Sequence, residues 1–326
     1  MSEPAKAAPL VWVLADPLAG NRSQCLGVAD ALGLPYKVKT LSYNVLARLP
    51  NAILGARFTT LAPDARDAMT APWPDLAIAA GRRTAPIARA IKRINGRRTR
   101  LVQIMDPGAF GAADFDLIAK PNHDGPDDRP NTIRVTGAPH GLTAAKLDAA
   151  RAQWAPAFKD LPRPLIAMLV GGDTRRRAFT TEMARDFARR VNKIAEDTDG
   201  ALLITTSRRS GKPATEALLS EISQPWHVHR WGDAGENPYL GYIACADMIA
   251  VTGESVSMCS EACATDKPVA IFAPEALITD KHARLHAELY AKGYARPLGE
   301  TLPAGTHPPL NAAADIAAAI RARLLA

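Results

Sequence analysis

A chain of 326 residues is long enough for two domains of ordinary size, and 47% hydrophobic content lets both bury a core. Aromatic residues make up only 6%, which argues against a stacking platform for single-stranded nucleic acid, and no run reaches the roughly 18 apolar residues of a spanning helix. The net charge of +7 lies entirely in residues 1–160, where 21 Lys and Arg face 14 Asp and Glu, against 19 and 19 in the remainder.

In chain order, the first strand-like run is LVWVLA (10–15), after a small, polar start with no secretory signal. It ends at Asp16-Pro17-Leu18-Ala19-Gly20-Asn21, and a helical pattern begins at Asn21. Tyr43–Leu61 then mixes Leu46, Leu49, Ile53, Leu54 and Phe58 with Arg48 and Arg57. The run LAIAA (76–80) turns at Gly81-Arg82-Arg83-Thr84 into a helix. From Arg82 to Arg100 there are eight Arg and Lys and no acid, with Arg89, Lys92 and Arg93 on one helical face. Together with Tyr43–Leu61 this stretch suits an anionic bilayer surface, or else a solvated helix over ordinary core. LVQIM (101–105) leads into Asp106-Pro107-Gly108, and another helix starts at Thr143.

Pro156, Pro162 and Pro164 interrupt helix, and LIAMLV (165–170) opens a second series with ALLIT (201–205), Met248–Val251 and Val269–Phe272. A last Ala-rich helix, Ala312–Leu325, follows Pro303, Pro308 and Pro309. Continuous apolar runs alternating with helices predict parallel sheets covered on both faces. The expected fold is α/β: two facing Rossmann-like domains, 1–160 and 161–310, with a C-terminal helix at 311–326 and a cleft at the strands' carboxyl ends.

Several strand ends carry candidate chemistry. Gly171-Gly172-Asp173-Thr174, expected to open a helix running through Phe179, offers close backbone approach and free N–H groups to an anion, with Arg175–Arg177 nearby. Without Gly-Lys-Ser/Thr or Gly-x-Gly-x-x-Gly, it is neither a P-loop nor a dinucleotide loop. In the second segment, Ser255, Val256, Ser257 and Met258 head a helix whose Glu261 can accept ribose hydroxyls. Gly253-Glu254-Ser255-Val256-Ser257 also approaches a hydrolase elbow, with Asp266 or Asp280 and His282 or His286 following, but lacks its last glycine. Ser207 and Arg208 sit at a donor-rich turn and could grip a base or sugar, and Ser207 equally could cap the next helix. Asp16 and Asp106, at strand ends, are candidate general bases, or plain turn residues. His282 and His286 lack the zinc-protease glutamate and read as a surface pair or phosphate contacts, so no metal is expected. Cys25, Cys245, Cys259 and Cys263 form no Cys-x-x-Cys and read as reduced cytosolic thiols.

The GGDTRR turn and the block WGDAGENPYLGYIACADMIAVTGESVSMCSEACATDKPVAIF resemble the "elongated mitochondria" fission-factor family, as do Asp16–Gln24 and Gly137–Leu142. The second half is similar to the nucleotide-sugar domain of GT-B glycosyltransferases. That resemblance implies a donor site at Gly171–Thr174, Ser255–Met258 and Glu261, to which the residues themselves add Arg177, Ser207 and Arg208. The implied activity is metal-independent transfer from a nucleotide-diphospho-sugar to an envelope or lipid-linked acceptor, with no separate cofactor and no nucleic acid. It would take place in the cytoplasm, at the inner membrane face. The sequence departs from the pattern in carrying Gly-Gly-Asp for Gly-Gly-Ser. A non-catalytic membrane adaptor and a sugar-nucleotide epimerase share these features.

Overall fold

A computed structural model describes residues 8–301 and 305–325; most of the segment scanned for a signal peptide, and Pro303, lie outside the described residues. The chain forms two compact units, residues 1–141 with 311–326 and residues 142–310.

Unit 1 contains β1 (Val11–Ala15), α1 (Ala19–Leu32), β2 (Tyr36–Thr40), the short helices α2 (Asn51–Leu54) and α3 (Pro63–Asp67), β3 (Leu76–Ala80), α4 (Ala85–Ile94), β4 (Arg100–Ile104), β5 (Leu117–Pro121) and β6 (Thr132–Val135). These strands form one parallel sheet in the order β2-β1-β3-β4-β5-β6. Unit 2 runs α5 (Ala144–Trp154), β7 (Leu165–Val170), α6 (Thr181–Asp197), β8 (Ala201–Thr206), α7 (Lys212–Leu219), β9 (Trp226–His229), α8 (Tyr239–Cys245), β10 (Met248–Thr252), α9 (Val256–Ala262), β11 (Val269–Phe272), α10 (Asp280–Ala291) and β12 (Arg296–Pro297). Its sheet is also parallel, ordered β12-β11-β10-β7-β8-β9. Counted from β7, that is the 3-2-1-4-5-6 order of a Rossmann sheet, with strand direction of build-up reversing between β7 and β10. The chain returns to unit 1 with α11 (Ala312–Ile320) and a π-helical turn, Arg321–Leu325.

The seven runs read as strands are strands. Most are buried along their whole length because helices cover both faces, which is why they show no polar alternation. The strands not anticipated are β2, β6, β9 and β12, the four sheet edges, together with β5. Edge strands are partly solvated, so YKVKT, TIRV, WHVH and RP carry charged or polar side chains and break the apolar pattern.

The Pro-rich stretch is not the join between the units. Helix α5, before it, belongs to unit 2: Arg151 Nε donates to Ala244 O of α8 at 3.1 Å, and the missing Cβ of Gly241 makes room for Trp154. The C-terminal helix is likewise no separate piece. Ile316 and Ile320 pack with Val28 and Leu32 of α1, and Arg321 donates to Ala31 O and Leu32 O at 2.9 and 2.8 Å. Those carbonyls end α1 and have no intrahelical donor, so the guanidinium closes the helix. No helix among the described residues is long and apolar enough to cross a membrane.

Ile316→Ala is expected to destabilise unit 1 by about 2–5 kcal/mol through lost burial and the cavity left behind. Urea unfolding of the full chain measures it, and an unchanged midpoint would mean that α11 is not core.

Candidate functional site

The carboxyl edge of the unit 2 sheet gathers the sequence candidates at the β7–β10 switch point. The loop after β7 is stitched to both neighbours. Gly171 N–H donates to Thr252 Oγ1 at 2.8 Å, and Gly172 N–H to Glu254 Oε1 at 2.5 Å. From the β8 side, the Ser207 hydroxyl donates to Gly171 O, Ser210 Oγ does so at 2.7 Å, and Asp173 N–H donates to Arg209 O at 2.9 Å. The two glycines are demanded by this packing. A Cβ on Gly171 would lie 1.8 Å from Glu254 Oε1, and one on Gly172, at φ +131°, 2.2 Å from the Arg209 carbonyl carbon.

Two expectations change here. The N–H groups of Gly171, Gly172, Asp173 and Thr174 all have protein acceptors, the last being Arg177 O at 2.8 Å, so the loop is not an open anion cradle. Nor does it begin a helix. Thr174 Oγ1 accepts the Arg177 N–H at 3.0 Å, Asp173 Oδ1 accepts that of Phe179 at 2.7 Å, and α6 starts only after Thr180 caps it through Met183 N–H at 3.2 Å. Arg175, Arg176 and Arg177 are exposed on this intervening turn. Ser207 caps nothing either: α7 begins after Gly211.

Beyond β10, the Glu254 side chain is fully buried, with Arg209 Nη2 3.7 Å from Oε1. Burial raises its carboxyl above the ordinary glutamate value, against the pull of the Gly172 N–H and Arg209. Helix α9 makes its first intrahelical bond from Cys259 N–H to Ser255 O at 2.9 Å, leaving the N–H groups of Val256, Ser257 and Met258 at its head without an intrahelical acceptor. Glu261, near the helix end, accepts the Tyr239 hydroxyl at 2.5 Å. Burial raises this carboxyl too, opposed by the Tyr239 bond. Asn237 Oδ1 in turn accepts the Tyr239 N–H at 3.0 Å, so the Asn-Pro-Tyr segment holds Glu261 in place.

The hydrolase reading fails on backbone geometry. Ser255 is extended at φ −107°, not strained as a nucleophile elbow requires, and Ser257 lies inside α9. The histidines do not form a surface pair. His282 takes part in the capping box with Thr279, while buried His286 donates from Nε2 to Gly253 O at 2.8 Å. Among the described residues no three potential metal ligands cluster, and all four cysteines are free and buried.

A cavity of about 910 Å³ opens beside these loops, between α7 and the ends of β8 and β9. Ser207 and Arg208 line it with Lys212, Arg230 and the exposed indoles of Trp226 and Trp231. Neither indole has a sequence signature, Trp226 being an isolated aromatic on an edge strand and Trp231 one on the turn after it.

In unit 1, Asp16 is 1% exposed and committed to neighbours. Oδ1 accepts the Leu18 N–H at 2.8 Å and Arg83 Nη2 at 2.7 Å, while Tyr43 OH lies 3.3 Å from Oδ2. Asp106 likewise makes a turn, to Gly108 N–H at 2.9 Å, and ion pairs with Arg129 and Lys120 at 3.2 and 3.4 Å. Partial burial pushes its carboxyl up, but those donors outweigh it and hold it below the ordinary aspartate value. The turn reading of both aspartates is therefore what the geometry contains. The basic stretch is also partly spoken for: Arg89 pairs with Asp114 and Lys92 with Asp116, each at 2.7 Å.

Two parallel six-stranded Rossmann-type units define a GT-B fold, and solved structures of that class match over nearly the whole chain. A UDP-GlcNAc 2-epimerase from Methanocaldococcus jannaschii in complex with UDP-GlcNAc and UDP is 11% identical, with a TM-score of 0.53 over 96% of this chain and 99% of its own. The glycotransferase of kitacinnamycin is 15% identical, with a TM-score of 0.52 over 98% and 94%. At such identities the likeness concerns the fold. The profile of the Mitochondrial fission ELM1 family matches residues 19–324, and the chain belongs to that family. It is 29% identical to an uncharacterized protein of Rickettsia prowazekii over 95% of this chain and 97% of that one. It is 28% identical to the Mitochondrial fission protein ELM1 of Arabidopsis thaliana over 78% of this chain, but over 64% of the plant protein.

Burial lowers the His286 pKa from its usual value to about 4, so the folded state keeps it neutral. Its stabilising contribution is complete above the unfolded value near 6.5 and is lost as pH falls towards 4, to a total of roughly 3 kcal/mol. Urea unfolding between pH 7 and 4.5 should therefore show a steeper loss for the native chain than for His286→Gln, which keeps a donor for Gly253 O. Parallel curves would refute it. Gly172→Ala should cost about 1–3 kcal/mol in the same assay, from overpacking against the Arg209 backbone.

Proposed function

We propose that unit 2 binds a nucleotide-diphospho-sugar and that the protein is a GT-B-type glycosyltransferase acting on an envelope or lipid-linked acceptor at the cytoplasmic face of a membrane. The observation that carries this reading is the cavity at the ends of β8 and β9, of a size that holds a nucleotide, with two indoles to stack a base and Arg208, Lys212 and Arg230 to meet phosphate. The bound UDP-GlcNAc of the epimerase neighbour supports the same ligand class. In this reading Glu261, held by Tyr239, accepts ribose hydroxyls, and the Ser255–Met258 N–H groups with Arg177, Ser207 and Arg208 offset the charge of the leaving diphosphate without a metal. Gly171–Thr174 then act by shape, their N–H groups being used within the protein. Asp16 is the base for the acceptor hydroxyl, released from Arg83 when the acceptor binds; Asp106, paired with Arg129 and Lys120, is the alternative base.

A specific observation favours a second reading, a non-catalytic membrane adaptor. The Gly-Gly loop and both aspartates are closed by internal bonds. The two readings part on ligand binding. Thermal shift with nucleoside diphosphates and their sugars should stabilise the protein by about 2.7 kcal/mol at a ligand concentration of 100 Kd. Glu261→Ala and Trp231→Ala should each abolish the shift while leaving the unliganded melting temperature within a few degrees. No shift with any nucleotide at millimolar concentration would leave the adaptor.

A further inference from the structure

Ten large apolar side chains are exposed among the described residues, and five of them lie together on unit 1. Val45 and Leu46 stand on a 3-10 turn, Leu49 precedes α2 and Ile53 lies on it, and Phe110 comes from the loop after β4; Val45 is 76% and Ile53 66% exposed. The two segments are neighbours, since Pro50, Asn51 and Ala52 share with Phe110 the lining of a hollow of about 360 Å³.

What makes the patch unusual is how it is held. Asn51 Nδ2 donates inward to Arg82 O at 3.0 Å and Pro107 O at 3.1 Å. Arg82 donates back to Leu49 O at 2.7 Å and Ala47 O at 2.9 Å, and Arg89 reaches Gly55 O at 3.3 Å while lying 5.4 Å over the Phe110 ring. Backbone polar groups are thus satisfied from beneath, and the apolar side chains are turned outward on a fixed support. A contiguous apolar surface kept this way marks an interaction site.

The charge around it selects the partner. Residues 42–63 contain no Asp or Glu, and Arg48 and Arg57 are exposed beside the apolar side chains. Unit 1 carries 20 Lys and Arg against 13 Asp and Glu, whereas unit 2 has 20 of each, so the whole excess lies in the unit that bears this face. Apolar groups that protrude on short turns, ringed by cations, fit the interfacial layer of an anionic bilayer.

We propose that Val45, Leu46, Leu49, Ile53 and Phe110 insert into the headgroup layer of an anionic lipid membrane, with Arg48 and Arg57 at the lipid phosphates. The inference rests on the reading that the protein works at a membrane, and it is independent of the nucleotide. It also moves the contact away from the Arg82–Arg100 stretch, where Arg82, Arg89 and Lys92 are occupied inside the unit.

Flotation of the full chain with phosphatidylcholine vesicles, with and without phosphatidylglycerol, tests it in the absence of nucleotide. Binding is expected only with phosphatidylglycerol. Val45→Asp with Ile53→Asp should abolish it, and Arg48→Ser with Arg57→Ser should weaken it roughly tenfold or more in a salt-dependent way. Arg93→Ser with Arg98→Ser should change it by less than about twofold, those side chains lying off the patch. Melting curves of each variant check folding, and the arginine pair keeps the test decisive if the aspartate variant unfolds. The proposal is overturned if the native chain ignores anionic vesicles, if it is the Arg93 and Arg98 pair that abolishes flotation, or if the apolar variant only breaks a dimer. Nucleotide-induced thermal shift without lipid is read separately, so failure of the membrane patch and failure of the donor site give different results.

Discussion

The loops at the carboxyl edge of unit 2 depend on one buried carboxylate. Glu254 leaves β10 and crosses the switch point to accept the Gly172 N–H, and Thr252 does the same for Gly171. Without such bonds three parallel strands would end in three independent loops, each residue of which gains about 1–2 kcal/mol of backbone entropy when released. Burying a carboxylate is costly, and a 2.5 Å hydrogen bond and a guanidinium 3.7 Å away offset part of that cost. The candidate site residues of this edge, Ser207, Arg208 and the head of α9, keep their positions because this junction holds. Its residues are therefore better understood as scaffold than as contacts.

That distinction explains what the sequence could and could not reveal. Central strands were legible because a strand buried on both faces must be apolar along its length, and the sheet edges were not, because solvent permits Lys37, Arg134 and His227 there. The Gly171-Gly172 pair was found for a sound reason with a different object. Glycine at a strand end does mean close approach, but here the approaching atoms are Glu254 and Arg209 rather than a ligand. Glu254 has no signature of its own and reads as the variable position of an elbow, since its partner is 82 residues away and no spacing rule links them. Glu261, by contrast, lies on the helix and Tyr239 at the helix start that the pattern predicts, but the bond between them, across 22 residues, has no sequence signature.

The basic stretch of unit 1 shows the same limit in electrostatic form. Read along the chain, Arg82–Arg100 contains no acid and looks free; in space, Asp114 and Asp116 sit opposite Arg89 and Lys92, and Arg82 folds inward onto carbonyls. Charge density along a sequence overstates charge available to a partner whenever a neighbouring strand-end loop supplies the counter-ions. The segment around Arg48 and Arg57 is less basic by count but has no such neighbour within residues 42–63.

In the proposed function the two units would meet their surroundings by different physics. A membrane acts over a Debye length of about 8–10 Å and rewards net charge, which unit 1 has and unit 2 lacks. A small ligand rewards convergence of a few donors and rings in a cavity, and a neutral unit can supply that as well as a charged one. An adaptor that had lost its ligand would still need the Glu254 junction to keep its loops folded, but it would have no need of a 910 Å³ cavity edged by two exposed indoles. Aromatic side chains exposed in a concave wall are costly to solubility unless something covers them. The exposure of Trp226 and Trp231 there is a feature of unit 2 that its own packing does not require.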